Sequence, residues 1–360
     1  MDLSKIDTPA LLVDKDKVAA NIKLAIQYAG GTDRLRPHVK THKMLEVARM
    51  QMAAGIYQFK CSTIAEGEML GMAGAKDVLM AYPVQGPKIN RVAKLVQRFP
   101  ETSFSVLIDN EVTARQIDEV FGEAGLELDV FIDLNNGHFR TGIIPERVPA
   151  LVAACQELAR LKIIGLHCYD GHIRMSSLEE RIAACREAFK PIAALREQLS
   201  EVLGRRLKIV AGGSPSFSVH AKYHDVACSP GTWIFWDERY GNDYREQEFQ
   251  KAAVIATRVI SKLDAHTYCL DVGHKSIASE MPFPRMAFKS PHQFTQFGHS
   301  EEHLIIKSVE PDVLQPGEIL LAYPMHVCPT VALHDYAHII SAGEIVDQWK
   351  VIARTRKITL

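Results

Sequence analysis

The chain lacks the features that mark several classes of protein. Its 360 residues carry 42 Lys and Arg against 43 Asp and Glu, which gives a formal net charge of −1. No overall positive field therefore attracts nucleic acid or an anionic membrane. No apolar run approaches the roughly 20 residues of a membrane-spanning helix, and the first residues lack a secretory signal pattern. These absences predict a cytoplasmic protein with neither nucleic-acid nor membrane partners.

Cysteine usage excludes a further class. The seven cysteines are odd in number and scattered, and none forms a C-x-x-C pair, which disfavours a disulfide framework. A composition of 47% apolar and 24% charged residues is typical of a soluble globular protein. The length indicates about two domains.

Residues 35 to 236 repeat one theme, a short apolar run followed by an amphipathic stretch, which is typical of βα units around a parallel sheet. Eight runs are present, at 35–40, 57–61, 77–82, 103–109, 128–135, 161–169, 207–213 and 224–236. Helices are predicted between them at 44–54, 63–73, 87–98, 148–158 and 178–203. This α/β pattern predicts a (β/α)8 TIM-type barrel over residues 21–240. A doubly wound sheet is the competing fold, but no G-x-G-x-x-G follows the first run.

After residue 244 the helical period fades. Short apolar runs at 253–263, 268–272, 303–309, 318–322 and 337–341 are separated by Gly, Pro and Asp turns. They predict a C-terminal, mainly β domain over residues 241–360, which also takes in residues 1–20. The acidic stretch 237–248 before it is interpreted as a solvated connector.

Reactive residues are expected where barrel strands end. The first run ends at Lys40, where desolvation lowers the pKa of an amine and makes it a nucleophile towards aldehydes. A lysine at a strand end that simply extends into water is the alternative.

Two small-residue loops lie towards the ends of the last two runs. Gly212 and Gly213 end the seventh run and Ser214 follows at once, and Gly231 and Thr232 lie in the later part of the eighth. Their N–H groups and hydroxyls suit a phosphate, and this is the usual phosphate position in such barrels, although each loop alone also fits an ordinary turn. A phosphate loop and an aldehyde-seeking lysine at one barrel mouth together predict pyridoxal 5'-phosphate (PLP).

Arg140 follows the fifth run. A guanidinium there can bind the phenolate oxygen of the cofactor or a substrate carboxylate, while a surface arginine in a Gly-rich turn is the alternative.

His326 and Cys328 follow an apolar run in the predicted β domain. Their i, i+2 spacing is expected to place an imidazole and a thiol on one strand face, where both suit a zinc ion. A packed cysteine beside a solvent-facing histidine is the alternative.

Six motifs occur in the same order as in the D-threonine aldolase and D-serine dehydratase family, which has the alanine racemase fold. They are DTPALLVD (7–14), RPHVKTHK (36–43), RTG (140–142), GGSPS (212–216), PGT (230–232) and HVCPT (326–330). The chain resembles this family over nearly its whole length. The resemblance implies PLP bound covalently to Lys40 and a divalent metal, Zn or Mn, on His326 and Cys328. It also implies a homodimer in which the β domain of one subunit covers the barrel mouth of the other.

The family includes two kinds of lyase. Tyr169, with Asp170 and Gly171 after it, resembles the aldolases, and His172 is a suitable base near neutral pH. Cys328 resembles the dehydratases, since a thiolate prefers a softer metal. We therefore expect cleavage of a D-β-hydroxy-α-amino acid to glycine and an aldehyde, as by D-threonine aldolase. The alternatives are a D-serine or D-3-hydroxyaspartate dehydratase, which yields a 2-oxo acid and ammonia, and then an amino-acid racemase or a non-catalytic PLP-binding protein.

Overall fold

Strands and helices alternate along most of the chain. The structure is a computed structural model, and it describes residues 2–222 and 226–360. The strands in these ranges are β1 (Ala10–Asp14), β2 (Gln58–Cys61), β3 (Asp77–Pro83), β4 (Ser103–Ile108), β5 (Leu128–Asp133), β6 (Leu161–Cys168), β7 (Lys208–Ala211), β8 (Val226–Cys228), β9 (Ala253–Lys262), β10 (Thr267–Leu270), β11 (Met286–Phe288), β12 (Phe294–His299), β13 (Leu304–Ser308), β14 (Ile319–Pro324), β15 (Tyr336–Ser341) and β16 (Glu344–Lys350). The helices are α1 (Lys15–Ala29), α2 (Leu45–Ala53), α3 (Ile64–Ala73), α4 (Pro87–Arg98), α5 (Glu111–Glu123), α6 (Val148–Cys155), α7 (Leu178–Val202), α8 (Phe217–His220), α9 (Glu238–Asp243) and α10 (Val327–Leu333).

The chain divides into two compact units. The barrel unit comprises Ala25–Lys40, Ala48–Gly231 and Thr355–Leu360. The β unit comprises the residues up to Leu24 together with Thr41–Val47 and Thr232–Arg354. The predicted domain limits at residues 20 and 240 stay predictions.

The barrel unit contains a parallel sheet in the order β2 to β8. Residues 34–39 bond to both of its edges, because Arg36 N–H donates to Cys228 O (2.8 Å) and Lys60 N–H donates to Pro37 O (2.8 Å). This segment forms isolated bridges rather than a continuous ladder, since Pro37 has no N–H to donate. The predicted α/β fold with parallel strands is confirmed. The first predicted run is not a regular strand, however.

The last predicted run, 224–236, begins with His224, which lies outside the described residues. Its described part contains β8 and then a short 3₁₀ turn at Thr232–Ile234.

Local signals explain why the helices form where they do. The hydroxyl of Thr63 accepts a hydrogen bond from Glu66 N–H (3.1 Å), which caps the start of α3. Gly74 ends the same helix with a φ of 88°, a conformation that glycine adopts without strain. Apolar side chains then fill the sheet interior, and one buried cluster joins Leu79, Leu107, Phe131 and Val210. This packed apolar interior fixes the strands, and so it also fixes the polar residues that follow the strand ends.

The β unit is built on nine strands in the described residues. Its main order is β12-β13-β10-β9-β1-β15-β16, and β14 pairs with both β9 and β11. Strand β1 runs antiparallel to β9 and parallel to β15, and Leu11, Leu12 and Val13 are fully buried there. The predicted second, mainly β domain is confirmed. Across residues 2–222 and 226–360, no helix has both the length and the apolar character that crossing a membrane requires.

Candidate active site

A cavity of about 500 Å³ lies in the barrel unit. Its lining includes the side chains of Lys40, Lys60, Arg140, His167 and Tyr169. Most of these residues lie at or just beyond the carboxyl ends of strands, where the active sites of parallel barrels are built.

Tyr169 lies at the centre of this group. The Nζ of Lys40 is 6.0 Å from the centroid of its ring, the Nζ of Lys60 is 5.6 Å away, and the Cζ of Arg140 is 4.8 Å away. Cations at such distances are attracted to the face of an aromatic ring. Three residues that the sequence predicted separately, Lys40, Arg140 and Tyr169, therefore lie around one cavity.

Lys60 is a residue that sequence reasoning missed. It lies on β2 with 3% of its surface exposed, and its backbone bonds to Pro37 and Val39 hold it beside the segment that carries Lys40. Burial, together with the charge of Lys40, lowers the pKa of Lys60 to about 7. The sequence signal that could have identified Lys60 is a lysine inside a short, mostly apolar run.

A buried carboxylate–imidazole pair also lies at the strand ends. Asp133 and His167 are register partners on β5 and β6, and Oδ1 of Asp133 is 2.7 Å from Nδ1 of His167. Burial lowers the pKa of His167 and by itself would raise that of Asp133, but hydrogen bonds from His167 and Thr141 lower the pKa of Asp133 overall. Because Thr141 Oγ1 donates to Asp133 (2.7 Å), this pair also anchors the loop that carries Arg140.

The two small-residue loops meet in the barrel unit. Gly231 N–H donates to the hydroxyl of Ser214 (3.1 Å), which joins the loop after β8 to the loop after β7. Gly213 lies against Tyr169, since a Cβ placed on this glycine would be only 3.0 Å from Cε2 of the ring. Gly212 has a φ of 78°. Glycine suits both positions, one for its lack of a side chain and the other for its backbone conformation.

His172 is exposed and follows Tyr169 by three residues. Its ring stacks on that of His138 at 5.8 Å between centroids, and His138 contacts Tyr169 edge to face at 5.3 Å. Burial lowers the pKa of His138, and the charge of Arg140 lowers it further. Two imidazoles thus extend from Tyr169 towards solvent.

His326 and Cys328 lie in the β unit, but not on a strand. The predicted common strand face is wrong, because β14 ends at Pro324 and α10 begins at Val327. Two features favour the helix here: Pro329 is compatible with a first helical turn, and Asp237 Oδ2 accepts a hydrogen bond from Val327 N–H (3.1 Å). The turn nevertheless brings the imidazole and the thiol into a side-chain hydrogen bond.

Polar groups surround this pair. The Nδ1 of His326 is hydrogen-bonded to Glu280. Hydroxyl oxygens of Thr41 and Thr232 lie 3.1 and 3.4 Å from the Sγ of Cys328. Burial by itself would lower the pKa of His326, but the hydrogen bond and charge of Cys328, together with Glu280, raise it to about 9. Thr232, predicted as a phosphate contact, is thus in the β unit beside Cys328.

The acidic stretch 237–248 is not a solvated connector at its start. Asp237 is 1% exposed and caps α9 by accepting a hydrogen bond from Tyr240 N–H (2.9 Å). Burial raises the pKa of Asp237 to about 6. The prediction failed because composition does not reveal a carboxylate that is used to fix two helix starts.

The chain is similar to known proteins over almost its whole length. Residues 13–238 match the family described as "Alanine racemase, N-terminal domain", and residues 252–340 match "Putative serine dehydratase domain". D-threonine aldolase of an Arthrobacter species is 30% identical, over 98% of this chain and 94% of its own. The D-threo-3-hydroxyaspartate dehydratase of a Delftia species is 26% identical, over 97% and 98%. The crystal structure of D-threonine aldolase from Filomicrobium marinum superposes with a TM-score of 0.90 at 28% identity, covering 98% of this chain and 96% of that one.

The chain belongs to the D-threonine aldolase and D-serine dehydratase family.

Membership of this family confirms several sequence-based predictions. The protein is a PLP-dependent lyase that acts on D-amino acids, and the predicted cofactors, PLP and a divalent metal, are confirmed for the family. The roles of individual residues stay predictions.

The barrel unit fits PLP as this family uses it. The amine of Lys40 lies 6.0 Å from the centroid of the Tyr169 ring, and Gly213 lies against the same ring, so an amine for the aldehyde and a small-residue loop for the phosphate are both next to Tyr169. The donor set of the β unit, an imidazole and a thiol, fits a divalent metal such as zinc.

We predict that Lys60→Met stabilises the cofactor-free protein at neutral pH. A lysine whose pKa falls from 10.5 to about 7 on folding costs up to roughly 4 kcal/mol at pH 7. Between these values the unfolded chain holds a proton that the folded chain does not, so the stability of the wild type rises with pH. The advantage of the variant is therefore full below pH 7 and disappears as the pH approaches 10.5.

Urea unfolding of both proteins at several pH values measures this advantage. Lys76→Met, at a mostly exposed lysine, serves as the control and should change stability by less than about 0.5 kcal/mol. An advantage that does not vary with pH would show that Lys60 is not buried as a neutral amine.

Proposed function

We propose that this protein cleaves D-β-hydroxy-α-amino acids such as D-threonine to glycine and an aldehyde. The observation that carries the proposal is the arrangement of Lys40 and Arg140 around Tyr169 in one cavity. A D-threonine aldolase that matches the chain from end to end supports the same reaction.

The cofactor is proposed to occupy this cavity. When bound, PLP supplies an electron sink for the bonds at the substrate α-carbon. Lys40 would hold its aldehyde carbon, and Gly212, Gly213, Ser214 and Gly231 would hold its phosphate, with Thr232 as a further hydroxyl. Arg140 would take an anionic oxygen, since its guanidinium lies over Tyr169 and the residue is exposed.

Proton transfer is assigned to the histidines beside Tyr169. We assign His172 as the base that takes the proton of the β-hydroxyl, and Tyr169 as the group that orients the substrate. His138, which stacks on His172 and contacts Tyr169 edge to face, offers a second imidazole beside the ring that orients the substrate. His326 and Cys328 would hold the divalent metal, which when bound acts as a Lewis acid towards the β-oxygen.

Dehydration of the same class of substrate is the second candidate. It is favoured by Cys328, whose soft thiolate departs from the harder ligands that suit manganese. The match of the C-terminal region to a serine dehydratase domain and the similarity to a dehydratase point in the same direction. The two reactions share substrates and differ in products.

Product analysis separates the two. Purified protein is incubated with D-threonine, D-serine or L-threonine, with and without a chelator. We expect glycine and acetaldehyde from D-threonine, little reaction with L-threonine, and loss of activity with the chelator. A 2-oxo acid and ammonia as the main products would overturn the aldolase proposal in favour of dehydration.

Variants assign the residues in the same assay. Lys40→Ala should abolish turnover, and Cys328→Ala should reduce both bound metal and rate. Cys155→Ala, at a buried helical cysteine, is the matched control and should keep both. Unchanged metal content in Cys328→Ala would exclude the proposed metal site.

We also propose that the enzyme is a cytoplasmic homodimer. All seven cysteines lie in the described residues and none forms a disulfide there, as is usual in a reducing compartment. Light scattering coupled to size-exclusion chromatography should give twice the 40.2 kDa mass of the chain, and a monomeric mass would contradict the dimer.

A further inference from the structure

A buried polar network lies directly behind the Gly212–Ser214 loop. Its centre is Asp170, which follows Tyr169 and is 2% exposed. The hydroxyl of Ser216 donates to Oδ1 of Asp170 (2.8 Å), and the Nε2 of His220 lies 2.7 Å from Oδ2. Burial by itself would raise the pKa of Asp170, but the charge and hydrogen bond of His220, with that of Ser216, lower it. The network therefore holds an ionised carboxylate.

This network is connected to the backbone of the loop. The hydroxyl oxygen of Ser216 accepts a hydrogen bond from Gly213 N–H (3.1 Å), and the same hydroxyl donates a hydrogen bond to Asp170. A Cβ on Gly212 would lie 2.8 Å from Cδ2 of His220 and 3.0 Å from Oγ of Ser216. The loop thus has almost no room to move towards the network, and a single hydrogen-bond chain fixes its central N–H.

The opposite side of the loop is also held by this part of the chain. The ring of Tyr169 lies against Gly213, and Gly212 N–H donates to Cys168 O (3.1 Å). Cys168 and Tyr169 therefore contact the loop through a carbonyl and a ring, and the carboxylate of Asp170 is linked to it through Ser216. Displacement of Asp170 would release Ser216 and let the loop shift, whereas no hydrogen bond or ion pair among the described residues joins Asp170 to Lys40.

We propose that Asp170 is a positioning residue, which acts through Ser216 and His220 to set the Gly212–Ser214 loop for a phosphate. This inference rests on the proposed placement of the PLP phosphate. It assigns the effect of Asp170 to the phosphate end of the cofactor and not to the aldehyde end.

A metal site is the competing explanation for these residues. One ligand-type atom from each of Asp170, Cys185 and His220 lies within 4.8 Å of the others. The 2.7 Å contact between Asp170 and His220 is a hydrogen-bond distance, and Ser216 already occupies the other carboxylate oxygen. The Sγ of Cys185 stays 3.9 Å from Asp170. These distances favour a hydrogen-bonded network.

Comparing PLP with pyridoxal, which lacks the phosphate, tests the proposal. The full-length protein is stripped of cofactor, and the dissociation constants of both compounds are measured by absorbance for the wild type and for Asp170→Asn. We expect PLP binding to weaken by about tenfold or more, as for loss of a charge-assisted hydrogen bond, and pyridoxal binding to change by less than about threefold. Asp129→Asn, at a partly buried carboxylate on β5, is the matched control and should alter neither.

Ser216→Ala is the second variant, in case Asp170→Asn does not fold. It removes only the link between Asp170 and Gly213 N–H, and the same selective loss of PLP binding is expected. Equal weakening for PLP and pyridoxal, or no change in either variant, overturns the inference. Metal that remains bound in a His326→Ala, Cys328→Ala double variant but is lost in Cys185→Ser would also overturn it.

Failure of the proposed function is distinguishable from failure of this inference. A wild type that binds neither compound contradicts the proposed use of PLP. A wild type that binds PLP more tightly than pyridoxal, with no change in Asp170→Asn, contradicts the role of Asp170 alone.

Discussion

The hydrogen bonds of residues 34–39 to both edges of the parallel sheet are the constraint on which the site depends. Arg36 anchors the beginning of this segment, because its guanidinium is fully buried and bonds both carboxylate oxygens of Asp77 at 2.7 Å. Four residues later the chain reaches Lys40 at the cavity. The position of the reactive amine is therefore set by backbone pairing and by a buried ion pair rather than by a flexible loop.

Charge balance in the cavity follows from this placement. Lys40, Lys60 and Arg140 all face one tyrosine ring, whereas the two nearby carboxylates, Asp133 and Asp170, are each committed to a histidine and a hydroxyl. The cavity is thus rich in positive charge and suits an anionic cofactor and an anionic substrate. Lys60 relieves part of the excess because its pKa of about 7 lets it lose its proton near neutrality.

The sequence predicted those parts of the site that depend on strand ends. Lys40, Tyr169 and Gly213 end predicted strands and Arg140 follows one, and parallel strands bring their carboxyl ends together whatever their order in the chain. Lys60 was missed because an inward-facing lysine within a four-residue strand looks like any other polar residue in a short run. Its burial depends on the pairing of β2 with residues 37–39, which is a long-range contact.

Hydrogen bonds between residues far apart in the chain set a different limit on prediction from sequence. The spacing of His326 and Cys328 was noticed, but the predicted strand geometry was wrong because a helix begins at Val327, whose N–H donates to Asp237, ninety residues earlier in the chain. The same carboxylate was mistaken for part of a solvated connector. The Asp170 network was equally invisible, since Ser216 and His220 reach that residue only after β6 and β7 have paired. Composition and spacing do not encode which carboxylate accepts which hydrogen bond.

The most direct measurement is to identify the lysine that carries the cofactor. The protein loaded with PLP is reduced with borohydride, digested, and mapped by mass spectrometry. We expect a single pyridoxyl-modified peptide with the label on Lys40, and a loss of the label in Lys40→Ala. A label on Lys60, or no label in a protein that has been given PLP, would contradict the central claim. That claim is that residues 34–39, bonded to both sheet edges, place Lys40 as the reactive amine.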